Sequence, residues 1–252
     1  MVQGITEFLP VSSSGHLVFF QSLFEMQEAP IFFDVMLHLG TLLAVMVYFW
    51  KDILEILHGI RATFGGKGKE QQGTRLLLWI IVATIPTGLI GVLLKDWFES
   101  LFSQPKLVGG MLLITGFFLW LTRWTKNEGK KIMRMGWLDS VFIGIAQGIA
   151  IIPGISRSGA TISTGLFCGL DRDLSARFSF LLSIPAILGA TVLEFKRIGS
   201  IQELGITLIG TVIAFGMGIL SLTFLIKINT IGKISNFSYY CWIIGLAIII
   251  IM

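Results

Sequence analysis

The stretch Pro153–Thr161, PGISRSGAT, decides the fold, because it sets an arginine, three hydroxyl side chains and two glycines between apolar segments. The chain has 252 residues, of which 54% are hydrophobic and 13% are charged. A soluble domain carries about 25% charged residues, so this composition predicts a multi-pass membrane protein and excludes an ordinary soluble domain. Proline and glycine interrupt helices, so the stretch predicts a helix break at membrane depth.

Six long apolar runs predict membrane-spanning helices, because the core of a bilayer requires about 20 consecutive apolar residues. The runs are residues 31–50, 76–95, 106–122, 174–195, 204–227 and 237–252. Residues 51–75 are predicted to be a polar loop. This loop and 123–136 each contain five Lys or Arg, against two in 95–106, so the positive-inside bias predicts that the first two are cytoplasmic and the third is external. The same loops account for the net charge of +4, so no nucleic-acid partner is expected.

Two further apolar segments, residues 1–24 and 138–170, are interrupted by proline, glycine and serine. Irregular backbone at membrane depth is tolerated only where it is buried in protein or lines a water-filled cavity. We therefore predict that each segment forms a re-entrant helix–loop–helix hairpin.

The two hairpins are related in sequence. A shift of 144 residues, the separation of Gln3 and Gln147, aligns QGITEFLPVSSSG with QGIAIIPGISRSG, and six of thirteen positions are identical. With the topology above, the first hairpin enters from outside and the second from inside. The sequence thus predicts an all-α polytopic membrane protein with an inverted-topology repeat, a single membrane domain over 1–252 with halves 1–122 and 137–252. In such folds broken helices meet at a central polar pocket.

Hairpin tips that meet would bring many polar side chains into one pocket. The first hairpin supplies Glu7, Ser12, Ser13, Ser14 and His16, and the second supplies Ser156, Arg157, Ser158 and Thr161. Arginine binds phosphate oxygens through two parallel hydrogen bonds, and the N-terminus of a helix adds backbone donors. The set therefore predicts a phosphate-binding site. The alternative is that Arg157 and Glu7 form a buried structural ion pair.

Ser13 is the candidate nucleophile, and a serine needs a neighbouring base to become reactive. Glu7 precedes it by six residues and His16 follows it by three, so either could take its proton while the other protonates a leaving group. In the alternative interpretation His16 is a packing histidine and Ser12 or Ser14 caps a helix. His38, on an apolar helix, is interpreted as a packing residue or a neighbour of the site.

These residues carry a resemblance to the undecaprenyl-pyrophosphate phosphatase family of bacteria, the BacA-type bacitracin-resistance phosphatases. QGITEFLPVSSSGH at Gln3–His16, LHLGTLLAVMVYFW at Leu37–Trp50 and PGISRSGAT resemble its motifs, in the same order and along nearly the whole chain. The resemblance implies a multi-pass enzyme of the bacterial cell membrane that removes one phosphate from a C55 isoprenoid diphosphate. This reaction recycles the lipid carrier of peptidoglycan and other wall polymers.

Carried over motif by motif, the resemblance implies roles for individual residues. The implied catalytic residues are Glu7, Ser13, His16 and Arg157, and the implied substrate-binding residues are Gln3, Ser12, Ser14, Ser156, Ser158 and Thr161. Gln3 stands where many relatives have glutamate, so it cannot act as a base, although its amide oxygen could ligate a cation weakly.

The resemblance also implies a divalent cation, Mg²⁺ or Ca²⁺. Glu7 is the only carboxylate in either motif, so it is the candidate anionic metal ligand, and a bound diphosphate would hold most of the ion. The expected partners are a polyprenyl diphosphate and membrane lipids, and the oligomeric state stays open, a homodimer included. The rival function is a lipid-phosphate transporter or flippase, which would use the same inverted repeat but needs no nucleophile poised beside a base.

Overall fold

The computed structural model describes residues 1–24, 31–64, 72–126, 128–195 and 204–252. Within these ranges the chain is helical, and its β-structure is one isolated bridge between Lys130 and Leu170. The α-helices are α1 (Val2–Thr6), α2 (Ser13–Leu23), α3 (Ile31–Tyr48), α4 (Trp50–Phe64), α5 (Gln72–Leu93), α6 (Lys95–Leu101), α7 (Pro105–Leu121), α8 (Trp137–Ile149), α9 (Arg157–Phe167), α10 (Arg172–Phe195), α11 (Leu204–Thr230) and α12 (Phe237–Ile251).

Six of these helices are long and apolar enough to cross a bilayer: α3, α5, α7, α10, α11 and α12. They coincide with the six predicted spans, with ends that differ by a few residues. Large apolar side chains such as Leu89, Val212 and Ile250 remain exposed on them, as expected for helix faces that contact lipid tails rather than water. The protein is therefore an all-α, multi-pass membrane protein, as predicted.

The predicted polar loop over 51–75 is wrong at both ends, because Trp50–Phe64 forms the helix α4 and the helix α5 begins at Gln72. Ile53 and Ile56 lie three residues apart and pack against the core, so charged residues on the other face concealed a helical period. Asp52 on this helix accepts a hydrogen bond of 2.7 Å from Nε of Arg177 on α10. Residues 65–71 of the predicted loop lie outside the described residues.

The segment around Lys130, between α7 and α8, is fixed to the turn that follows α9. Lys130 N donates to Gly169 O at 2.7 Å, and Asp171 N donates to Lys130 O at 3.1 Å. The neighbouring Lys131 ammonium lies 2.9 Å from a carboxylate oxygen of Asp171. This hydrogen bond and the Asp171 charge raise the pKa of Lys131 above its ordinary value, and they hold one of the basic loops in place.

Both predicted hairpins are broken helices, and a serine caps the second helix of each at the break. Ser12 Oγ accepts a hydrogen bond from Gly15 N at 3.2 Å, and Ser156 Oγ accepts one from Gly159 N at 3.1 Å. These hydroxyls cap α2 and α9, and a serine cap satisfies a backbone N–H that the helix itself cannot. Equivalent positions of the two copies therefore perform the same structural role.

Glycines at matching positions of the two copies both lie at helix contacts. Gly4 on α1 lies against the backbone of Ala214 on α11, and Gly148, 144 residues later on α8, lies against Ile90 on α5. On α7, Gly109 approaches Gly245 of α12 while Gly116 approaches Trp242, so these two helices run antiparallel. An inverted repeat requires its two copies to run in opposite directions, and this relation between the halves stays a prediction. The division at 1–122 and 137–252, and the re-entrant course of the hairpins, stay predictions.

Candidate active site

A serine and a carboxylate form the centre of the site, at the tip of the first hairpin. Glu7 follows α1, and Ser13 is the first residue of α2. Ser13 Oγ donates a hydrogen bond of 2.7 Å to Glu7 Oε2. The intervening turn depends on Ser12, which has a φ of 65°, a left-handed conformation that non-glycine residues seldom adopt.

Arg157 joins the second hairpin to this pair. Its Nη2 donates to Glu7 Oε1 at 2.6 Å, across 150 residues of sequence. The two hairpin tips therefore meet around a shared polar centre, as the repeat predicted. Glu7 accepts from Arg157 on one oxygen and from Ser13 and Gln3 on the other, a donor set that holds it as a carboxylate. The ion pair considered as a structural alternative is thus present, and it lies within the same site as the serine.

Gln3 on α1 holds the Glu7 carboxylate in place, and His38 on α3 in turn contacts Gln3. Gln3 Nε2 donates to Glu7 Oε2 at 2.7 Å and lies 3.3 Å from His38 Nε2. His38 Nδ1 lies 2.9 Å from the carbonyl oxygen of Asp34, which can only accept, so Nδ1 carries the proton and Nε2 accepts from Gln3. His38 is therefore a neighbour of the site, one of its two predicted roles. Among the described residues, none hydrogen-bonds the buried Gln3 Oε1.

His16 is held apart from this network. Its Nδ1 lies 2.8 Å from Ser12 O and its Nε2 lies 2.8 Å from the Tyr240 hydroxyl, so Nδ1 donates and Nε2 accepts. The ring also stacks on Tyr240, with centroids 5.6 Å apart. Both nitrogens are thus occupied by groups other than Ser13, and the catalytic role of His16 stays a prediction. Tyr240 lies in none of the motifs, and its place beside His16 comes from the packing of α12.

The remaining residues of the second motif divide into two groups. Ser156 lines the central cavity together with Arg157, and its backbone N–H donates to Thr115 Oγ1 at 3.1 Å. Thr161 is 1% exposed and its hydroxyl lies 2.5 Å from that of Ser179 on α10, so it joins two helices. Ser158, 2% exposed, lies 3.2 Å from the Ser156 hydroxyl. These contacts place Ser158 and Thr161 in support of the cavity wall.

A cavity of about 960 Å³ opens beside the polar centre. At one end it is lined by Glu7, Ser12, Ser13, Ser14, Ser156 and Arg157. Apolar residues of α5 and α10 form much of the rest, and an apolar groove of about 790 Å³ adjoins it through shared residues such as Gly88 and Pro185. A charged end followed by apolar walls matches a ligand with a polar head and an apolar tail.

The oxygen ligands of the site limit how it could bind a metal ion. Within the described part of the chain, no group of three or more His, Cys, Asp or Glu is arranged to hold one. Both oxygens of Glu7 accept hydrogen bonds from protein donors, and Gln3 Oε1 is a nearby buried oxygen with no hydrogen bond. These residues fit a hard cation only if most of its ligands come from a bound phosphate.

Fold and site together define a class: multi-pass membrane proteins that carry a serine, a carboxylate and an arginine where two broken helices meet, beside an apolar cavity. The chain matches the family described as Bacitracin resistance protein BacA over residues 1–247, and it belongs to that family.

Curated relatives extend over nearly the whole chain. The undecaprenyl-diphosphatase of Desulforapulum autotrophicum is 46% identical over 262 residues, covering 99% of this chain and 95% of the relative. The undecaprenyl-diphosphatase of Halothermothrix orenii is 46% identical over 255 residues, covering 100% of this chain and 95% of the relative. That of Methanobrevibacter smithii is 40% identical and covers 98% and 93%.

Proposed function

We propose that this protein hydrolyses undecaprenyl diphosphate to undecaprenyl phosphate and inorganic phosphate, and so recycles the lipid carrier of cell-wall synthesis. One observation carries the proposal. The Glu7 carboxylate accepts a hydrogen bond of 2.7 Å from the Ser13 hydroxyl on one oxygen. Its other oxygen accepts one of 2.6 Å from the Arg157 guanidinium. The proposed nucleophile Ser13 and the proposed phosphate-binding Arg157 therefore both contact Glu7, the proposed base. The relatives above are named for this reaction.

In the first step Ser13 Oγ attacks the terminal phosphorus of the diphosphate. The new bond joins Oγ to phosphorus, and the bond from phosphorus to the bridging oxygen breaks, so the prenyl monophosphate leaves with that electron pair. The Ser13 proton passes to Glu7 Oε2 along their existing hydrogen bond. A positioned base of this kind contributes about 10²–10⁴-fold to rate.

Arg157 stabilises the charge on the phosphoryl oxygens during this transfer. Its contact with Glu7 uses Nη2, which leaves the other side of the planar guanidinium to bind phosphate. Ser12, Ser14 and Ser156 line the same end of the cavity and add neutral donors. Preorganised donors in a water-poor site stabilise a transition state more than the same groups do in water.

In the second step water hydrolyses the phosphoserine. Glu7 first gives its proton to the departing prenyl phosphate and is again a base. It then takes a proton from the attacking water, whose oxygen bonds to phosphorus as the bond to Ser13 Oγ breaks, and the proton returns to Oγ. Direct attack by water, or by His16, would yield no phosphoserine, so trapping a phosphoserine on Ser13 separates the serine route from both.

We include a divalent cation, Mg²⁺ or Ca²⁺, in the proposal. When bound, it would neutralise part of the charge of the diphosphate. The protein oxygens available to it are those of Glu7 and the Gln3 Oε1 atom, and the substrate would supply the other ligands.

The decisive experiment is phosphate release from undecaprenyl diphosphate in detergent, by wild type, Ser13→Ala and Ser22→Ala. Ser22 lies on the same helix α2, outside the cavity lining, so it is the matched control for loss of a hydroxyl. We expect the wild type and Ser22→Ala to be active, Ser13→Ala to be inactive, and a phosphoserine to be trapped on Ser13 by mass spectrometry. A folded wild type that binds the lipid and releases no phosphate would refute the proposal and support the flippase.

A further inference from the structure

Gln147 is the counterpart of Gln3 in the second hairpin, and its surroundings differ. Gln3 has Glu7 four residues later as a hydrogen-bond partner, whereas the equivalent position after Gln147 is Ile151. Gln147 is 2% exposed and lines the central cavity. The second hairpin therefore has a buried amide at this position and no carboxylate four residues after it.

The amide of Gln147 is held only by long contacts. Its Nε2 lies 3.4 Å from Thr87 Oγ1 and 3.5 Å from Leu182 O, and its Oε1 has no hydrogen-bond partner among the described residues. Thr87 directs its own proton to the carbonyl oxygens of Gly144 and Ala83, at 2.8 and 3.0 Å, so it cannot donate to Gln147. Burying a polar group with so few partners is unfavourable, which indicates a group kept for a ligand.

The neighbours of Gln147 indicate which part of a ligand it could bind. Its neighbours Thr87 and Leu182 belong to α5 and α10, the helices whose apolar residues form the walls of the cavity. Arg157 and Ser13 line the same cavity from the hairpin tips. Gln147 thus adds a polar side chain to the cavity beside the helices that supply its apolar walls. A lipid diphosphate has its inner, lipid-linked phosphate between its terminal phosphate and its apolar tail.

We propose that Gln147 binds the inner phosphate of the lipid, an inference that rests on the proposed function. The amide turns about its broad terminal torsion and donates Nε2–H to a phosphate oxygen. The inner phosphate of a diphosphate monoester carries less charge than the terminal one, so a neutral amide matches the first and an arginine matches the second. The inner phosphate stays on the lipid after hydrolysis, so Gln147 holds the product as well as the substrate.

The test replaces the amide by a side chain of similar size and compares three ligands. Gln147→Met is assayed for KM and kcat with a prenyl diphosphate, for inhibition by the matching prenyl monophosphate, and for inhibition by inorganic phosphate. Thr223→Val is the control, because Thr223 is exposed on α11 and, among the described residues, its hydroxyl bonds Ile219 O of its own helix.

We expect KM and the inhibition constant of the prenyl monophosphate to rise together by about tenfold, which corresponds to about 1.4 kcal/mol. The inhibition constant of inorganic phosphate should not change, because that anion occupies the Ser13 and Arg157 end. Loss of a contact made equally in the ground and transition states raises KM and leaves kcat unchanged. A fall in kcat alone, or an equal shift for inorganic phosphate, would overturn the inference.

Direct binding of the prenyl monophosphate by calorimetry separates this inference from the proposed function. If the wild type releases no phosphate, the function fails, and the inference is still decided by whether Gln147→Met weakens monophosphate binding. If Gln147→Met does not fold, Gln147→Glu replaces it, since a carboxylate beside the phosphate should weaken binding more than tenfold by repulsion of like charges. Unchanged affinity in the folded variant would overturn the inference.

Discussion

Removing Arg157 should affect stability and activity in ways that can be separated. In Arg157→Ala, the Glu7 side chain, 7% exposed, loses its positive partner. Breaking a buried ion pair by removing one member destabilises by about 3–5 kcal/mol, because a buried charge is left uncompensated. Glu7 keeps its hydrogen bonds from Ser13 and Gln3, and the Arg157 side chain is 19% exposed, so we expect the lower end, about 3 kcal/mol.

The double variant Glu7→Gln, Arg157→Ala removes the uncompensated charge. We therefore expect it to unfold at a higher temperature than Arg157→Ala alone, although it has one more substitution. Activity should behave differently, because an arginine that stabilises phosphoryl transfer is worth about 10³–10⁵-fold in rate. Neither variant should recover activity, and Arg157→Lys should recover part of it, since lysine supplies charge without the two-pronged geometry.

The assays are phosphate release and thermal unfolding in one detergent, for the wild type, both single variants at Arg157 and the double variant. Retention of more than about a tenth of wild-type kcat/KM by Arg157→Ala would refute the assignment, because that loss is far below the expected stabilisation. A double variant less stable than Arg157→Ala would show that Glu7 does not depend on Arg157 for its charge balance.

Two further predictions concern the neighbours of the reacting groups. Tyr240→Phe removes the hydroxyl that donates a hydrogen bond to His16 Nε2. We expect it to lower the free energy of unfolding by about 1 kcal/mol and to reduce kcat by less than about tenfold. A loss of kcat as large as that of Ser13→Ala would instead show that His16 is catalytic. A chelator should abolish turnover reversibly. The unfolding temperature of the substrate-free protein should not change, because no cluster of metal ligands exists within the described residues. A large fall in that temperature would instead indicate a resident structural ion.

Local signals in the sequence predicted most of the fold. Apolar length predicted the six spans, and proline and glycine at Pro153 and Gly154 predicted the second helix break. The helix α4 was missed because its charges outweigh Ile53 and Ile56 in composition, although the spacing of those residues is helical. Length and composition are local quantities, whereas the side on which an amphipathic helix packs depends on its partner.

The sequence predicted those contacts of the site that join residues within one hairpin or at the tips of the two repeated hairpins. The six-residue spacing of Glu7 and Ser13 and the repeat that brings Arg157 to them correspond to contacts in the structure. The contact between His16 and Tyr240 spans 224 residues and left no sign in either motif. Gln147 stood in the aligned repeat, but its environment depends on α5 and α10, which sequence spacing does not describe.

The ion pair between Glu7 and Arg157 also has a consequence for how the protein is made. Glu7 leaves the ribosome 150 residues before Arg157, so during most of synthesis its carboxylate has no cationic partner. An unpaired carboxylate is costly in the hydrocarbon region of a bilayer. We therefore expect the nascent first hairpin to stay at the water boundary until Arg157 of the second hairpin is available to pair with Glu7.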